Sequence, residues 1–187
     1  MINRWNEREA ARMVERYGPG GGEMLALRTY ASRLLGADPA LVLHGGGNTS
    51  LKAEQRSALG DRVPAIFVKA SGFDMATIEP EGHPALDLTW LRRFRALDRL
   101  PDDEMVNQLR RALFDSNAPT PSIETLVHAF LPGIFVDHSH ANAVLALTNQ
   151  RGGGALVREA FGDDVAVVDY VEPGFLRAKA AAAAVEG

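Results

Sequence analysis

Three short apolar runs in this chain each break off into a loop of small polar residues, and that punctuation limits the folds open to it. Leu41-Val-Leu-His44 runs into Gly45-Gly-Gly-Asn-Thr-Ser50, Ala65-Ile-Phe-Val-Lys69 into Ala70-Ser-Gly-Phe73, and Gly133-Ile-Phe-Val-Asp137 into His138-Ser-His140. Runs of this length bounded by glycine and small polar residues read as strands. Ser50–Glu54 continues the first of them past its loop, Gln55–Arg62 is a polar turn, and Val165–Tyr170 reads as a last strand. Between them lie helical stretches: Glu7–Tyr17 before the breaker Gly18-Pro-Gly-Gly-Gly22, then Glu23–Leu35, Asp87–Arg99, Pro101 to Asp115, and Asn142–Thr148. Another helix opens at Thr120-Pro-Ser-Ile-Glu124, with threonine as cap, proline in the first turn and an acid after it. Ala178–Glu186 is the body of an alanine helix with no downstream element to pack against. Helices and strands intermix without strict alternation, so the expected fold is α/β (α+β-like) with a mixed sheet.

Composition removes several kinds of function. A net charge of −4 leaves no basic footprint, which argues against nucleic acid as a partner. No apolar stretch is long enough to span a bilayer, and the polar start Met1-Ile-Asn-Arg-Trp-Asn-Glu lacks the apolar core of a signal peptide. The expectation is a cytoplasmic protein with no membrane partner. With no cysteine, any metal must be held by histidine, carboxylate or water. A chain of 187 residues fits a single domain over 1–187.

The chemistry concentrates at the loops. His-x-His at a strand end points two imidazoles the same way, roughly 7 Å apart at the backbone. His138 and His140 can therefore converge on one ion at about 2.0–2.1 Å, the usual Zn–N distance, or be two surface histidines that close a strand. Glu124 and His128 share a helix face, and either can complete such a site; a core role suits His128 better. His44 and His83 have no sequence partner and read as structural or exposed. The glycines before Asn48, Thr49 and Ser50 let backbone N–H groups approach an anion, or simply form a tight turn. Lys69, before Ser71 and Gly72, can bind phosphate as a point charge, form a Schiff base or be solvated. Ser122 falls in the first turn of the expected helix, a natural place for an anion.

Gly46-Gly-Asn-Thr-Ser50, Ala70-Ser-Gly72, Pro121-Ser-Ile-Glu124, Leu126-Val-His128 and Asp137-His-Ser-His-Ala-Asn142 stand in the order and context of one family. From about Glu23 to Phe175 the chain resembles the class II aldolase/adducin family, and most of all the aldolase part of bifunctional rhamnulose-1-phosphate aldolase/short-chain dehydrogenase proteins. The resemblance implies a mixed, mainly antiparallel sheet flanked by helices, and zinc or another divalent metal on three histidines, with His138 and His140 as the first two. It implies Glu124 as catalytic residue and Gly47, Asn48, Ser71, Gly72 and Ser122 as phosphate-binding positions, with Lys69 and Thr49 as further phosphate candidates. The implied reaction is cleavage of rhamnulose 1-phosphate to dihydroxyacetone phosphate and lactaldehyde. The alternatives are a fuculose-phosphate aldolase, a pentulose-phosphate epimerase, or a non-catalytic adducin-like binding module. NAD would serve only a dehydrogenase part beyond this chain, and the family suggests a homotetramer acting on a small sugar phosphate.

Two departures stand out. Ser122 is followed by Ile123 where the family often has a second serine, and no histidine follows His140. Glu172 is an oxygen donor in the right region, but truncation at the C-terminal end is the simpler account of the missing ligand.

Overall fold

A computed structural model describes residues 2–186 of the protein. Its elements run α1 (Glu7–Gly21), α2 (Glu23–Gly36), β1 (Asn48–Arg56), β2 (Arg62–Val68), β3 (Ala85–Asp87), α3 (Leu88–Arg93), α4 (Asp102–Arg111), α5 (Thr125–Phe130), β4 (Phe135–His138), α6 (Asn142–Thr148), α7 (Gly153–Phe161) and α8 (Phe175–Glu186). The strands form one sheet in the order β3-β2-β1-β4, and all of its pairings are antiparallel. This is the helix-flanked, mainly antiparallel α/β arrangement expected.

Alternation along β1 sorts its side chains between two helical layers. Thr49 faces α2, where its hydroxyl meets Ser32 at 2.7 Å. Ser50 faces α5, where its hydroxyl meets His128 Nδ1 at 2.8 Å. The main core lies on the α5 side, where Ile66 and Val68 of β2 pack with Leu91, Met105, Leu109, Leu126 and Phe130. Helix α8 does find a partner, although upstream: Phe175, Ala178 and Ala182 are buried and it packs on α5. Their spacing keeps them on one face, and alanine lets two helices approach closely. On the other side α1 packs on α2 through Ala10, Met13 and Tyr30.

Several elements depart from the sequence reading. Leu41–His44 is a turn rather than a strand, because the Asp38 carbonyl accepts both the Leu41 and the Val42 N–H. Val165–Tyr170 forms no ladder with any described strand and is not a strand. Helix α1 continues through Pro19 to Gly21, and α7 was not anticipated. Asp87 is not in its helix but caps it, accepting the Trp90 N–H at 2.9 Å, and the regular part of α3 stops at Arg93. Thr120 is no helix cap. The chain there pairs with the Ala70 loop, through an Ala70–Pro121 bridge and a Ser71 N–H to Thr120 carbonyl bond of 2.9 Å. Helix α5 therefore starts late, at Thr125, with Glu124 in the cap position and Ser122 outside the helix.

Gly36, at the end of α2, shows how tightly that helix is seated. A Cβ there would lie 2.3 Å from the Ala76 nitrogen and 2.5 Å from the Met75 carbonyl carbon. Gly20, in α1, has no atom within 4 Å of the same position. Gly36→Ala should cost about 2 kcal/mol or more in urea unfolding, as overpacking against backbone does. Gly20→Ala should be neutral or stabilise by up to about 1 kcal/mol.

Candidate active site

The site is assembled by the pairing of β1 with β4, which sets Asn48 opposite His138. The Asn48 amide donates to Glu124 Oε2 at 2.6 Å and to Ser122 Oγ at 3.1 Å. Ser122 Oγ also accepts the Glu124 N–H at 3.2 Å. On its other side, Glu124 Oε2 lies 3.1 Å from His138 Nδ1. A neutral His138 that donates its Nδ1–H to this carboxylate leaves an unshared pair on Nε2. That Nε2 stands 3.1 Å from Nε2 of His140. His140 itself lies beyond the strand, and its N–H donates to the Leu41 carbonyl at 2.8 Å. The turn that replaces the expected first strand thus holds the second histidine.

Burial opposes the Glu124 charge, but the hydrogen bonds from His138 and Asn48 prevail and hold its pKa down to about 2. The carboxylate is therefore ionised at neutral pH. The glycine run is required by close approach. Gly47 has φ +68°, and a Cβ on it would meet the His138 carbonyl oxygen at 2.8 Å. A Cβ on Gly46 would lie 3.3 Å from His140 Nδ1. Gly72 has open space around it, but its φ of +79° suits glycine.

Lys69 is buried, and its ammonium donates to the Gly45 carbonyl at 3.1 Å. Burial lowers its pKa, against the opposing pull of Glu124 and Asp74. Among the described residues it has no carboxylate partner in an ion pair. Ser71 is exposed beside the Thr120 loop. The Gly45–Asn48, Ser71–Gly72 and Thr120–Ser122 loops are thus joined to one another by hydrogen bonds. Thr49 is placed elsewhere: its hydroxyl is fully buried and bonded to Ser32 and His83. His128 is likewise buried in the core, and His44 is exposed with φ +51°. A cavity of about 400 Å³ opens beside Glu124 and His138, walled by Val127, Asn149, Tyr170 and Arg177. Glu172 lies on a separate cavity with Arg99 and Phe175.

Sequence reasoning missed Arg28, whose buried guanidinium meets Asp137 at 2.7 Å on the face of β4 opposite His138. It also missed Lys52, two strand positions beyond Ser50. Period-two alternation from Asn48 was the available signal for Lys52; Arg28, an arginine in an ordinary amphipathic helix, carried none.

Residues 27–187 match the family described as class II aldolase and adducin N-terminal domain. The chain belongs to this family. It is similar to a solved structure titled as the N-terminal class II aldolase domain of a conserved protein from Thermoplasma acidophilum, at 36% identity and a TM-score of 0.84, covering 98% of this chain and 80% of that one. It is also 37% identical over 175 residues to a Bacillus subtilis protein named uncharacterized oxidoreductase YuxG. That match takes in 94% of this chain but 24% of the relative, so the domain spans about a quarter of that protein's length. Class II aldolases typically depend on a divalent metal. Among the described residues no group of three His, Cys, Asp or Glu side chains is placed to hold an ion alone.

Two buried histidines near the site give the fold a pH dependence. Burial, foremost, depresses both His83 and His128 to about 3. Unfolded histidines titrate near 6.5, at about 1.4 kcal/mol per pH unit for each proton. Both must stay neutral in the folded state, so their full contribution is present above pH 6.5 and falls as pH drops toward 3. The urea midpoint should decline over that window, and His83→Gln should flatten the slope by about one proton's worth.

Proposed function

We propose that this domain is a metal-dependent aldolase that cleaves a ketose 1-phosphate, with rhamnulose 1-phosphate as first candidate, to dihydroxyacetone phosphate and lactaldehyde. The observation that carries the reading is the Glu124–His138–His140 chain. Two imidazole nitrogens bound to one tetrahedral ion at about 2.0–2.1 Å would stand roughly 3.3 Å apart. Here they stand 3.1 Å apart. The donor set therefore fits two positions of such an ion, with His138 and His140 as its holders. The Glu124 carboxylate behind Nδ1 fixes the tautomer, as carboxylates behind metal-binding histidines do. When bound, the ion would supply Lewis-acid polarisation of the ketose carbonyl.

The chain's own residues account for the rest. Glu124, ionised and held by Asn48, is the group to take a proton from the substrate and return it. Gly47, Asn48, Ser71, Gly72 and Ser122 surround the place for the phosphate. Lys69, buried behind the Gly45 loop and without a carboxylate partner among the described residues, supplies positive charge there. Remote binding of the phosphate would orient the reacting carbons. The oxidoreductase name and greater length of the Bacillus subtilis relative support a bifunctional parent, whose further part would be an NAD-dependent dehydrogenase.

The test is turnover by the full-length protein on rhamnulose 1-phosphate, fuculose 1-phosphate and a pentulose phosphate. Chelation should abolish activity, and His138→Ala and Glu124→Gln should each lower kcat by about a hundredfold or more. Full turnover in both variants would overturn the aldolase reading. Preference for another substrate would relocate the domain within the family.

A further inference from the structure

Beyond the site, β1 touches α5 and the residues flanking its two ends at three successive positions of one face. Asn48 holds Glu124 at 2.6 Å, Ser50 meets His128 at 2.8 Å, and Lys52 donates to the carbonyls of Leu131 at 2.6 Å and Gly133 at 2.8 Å. Alternate strand residues advance roughly 6.6 Å, and four helical residues about 6 Å, so strand and helix run side by side in near register. The Lys52 backbone N–H adds a bond of 2.7 Å to the Ile134 carbonyl, at the foot of β4. One residue of β1 thus grips the end of the helix that carries Glu124 and the start of the strand that carries His138.

Lys52 has few competitors for this task. Arg92 reaches the same helix end, with its Nε 3.4 Å from the Ala129 carbonyl. Both cations face the carbonyl end of a helix, where positive charge is favoured. Lys52 forms no ion pair among the described residues, so its ammonium answers to these carbonyls. Helix α5 has only six residues, too few to flex independently of its two anchored ends.

We propose that Lys52 is a positioning residue, whose hold on the Leu131 and Gly133 carbonyls sets the spacing between the helix of Glu124 and the strand of His138. It touches neither group itself and acts through the loop that joins their elements. Lys52→Met should fold and yet loosen the Glu124–His138 contact, while Lys52→Arg, which keeps a cationic donor, should restore it.

The experiment reads the ring-nitrogen NMR signals of His138 in the protein without metal or substrate. Wild type and Lys52→Arg should show one Nδ1-protonated tautomer, and Lys52→Met a mixture of tautomers. The kinetic arm rests on the aldolase reading: kcat of Lys52→Met should fall about tenfold to a hundredfold with KM little changed, as small misplacements of reacting groups cause. If wild type proves inactive on every ketose phosphate, the aldolase reading fails while the His138 signals still decide the role of Lys52. If Lys52→Met does not fold, Lys52→Gln carries the same reading. Unchanged His138 signals in a folded variant, or failure of both variants to fold, would overturn the proposal.

Discussion

The side-chain amide of Asn48 is the contact on which the site depends. Strand pairing places it opposite His138, and its hydrogen bonds tie Glu124 and Ser122 to the same strand. Three elements distant in sequence thereby meet at one buried side chain, which is 4% exposed. Removing a buried donor of this kind would leave the carboxylate with His138 alone, a greater loss than a surface hydrogen bond. The glycines before Asn48 serve the same end, since Gly47 leaves no room for a Cβ against the His138 carbonyl.

Beneath that contact lie several buried polar side chains. Arg28 reaches Asp137 from α2, and Ser32, Thr49 and His83 bond to one another on the same side of the sheet. On the opposite side Ser50 and His128 pair, with Lys52 beyond them. Polar groups at such depth stabilise only when they are partnered, so they allow few alternative packings.

Much of the fold was legible in local patterns, and the failures have physical causes. The strands around Ala65–Val68 and Phe135–Asp137 and the helices after Glu23 and Asn142 carry clear periodicity, and they stand where the sequence puts them. Leu41–His44 had strand composition, but Asp38 captured its N–H groups in a turn. Val165–Tyr170 had the apolar run of a strand and no described neighbour to pair with. Thr120 and Pro121 had helix-start chemistry, which pairing to the Ala70 loop overrode. Glu124, His138 and His140 were candidates by type and spacing, and the structure brings the three side chains together. The buried placement of Thr49 was not legible, because a hydroxyl in a polar motif looks alike whether it faces the loop or the core.

The sequence by itself determined the chemistry available: no thiolates, a glycine-rich loop, a histidine pair one residue apart, and a glutamate four residues before another histidine. It also determined the family, through motifs that recur in a fixed order. Only the tertiary structure decided which groups meet. Composition cannot say that Asn48 faces Glu124 while Thr49 faces Ser32, because that depends on strand register, and a slip of one residue would exchange the two faces. Nor can it say that His140 hangs from the Leu41 carbonyl, since that bond joins residues ninety-nine positions apart and exists only once β4 has docked on β1.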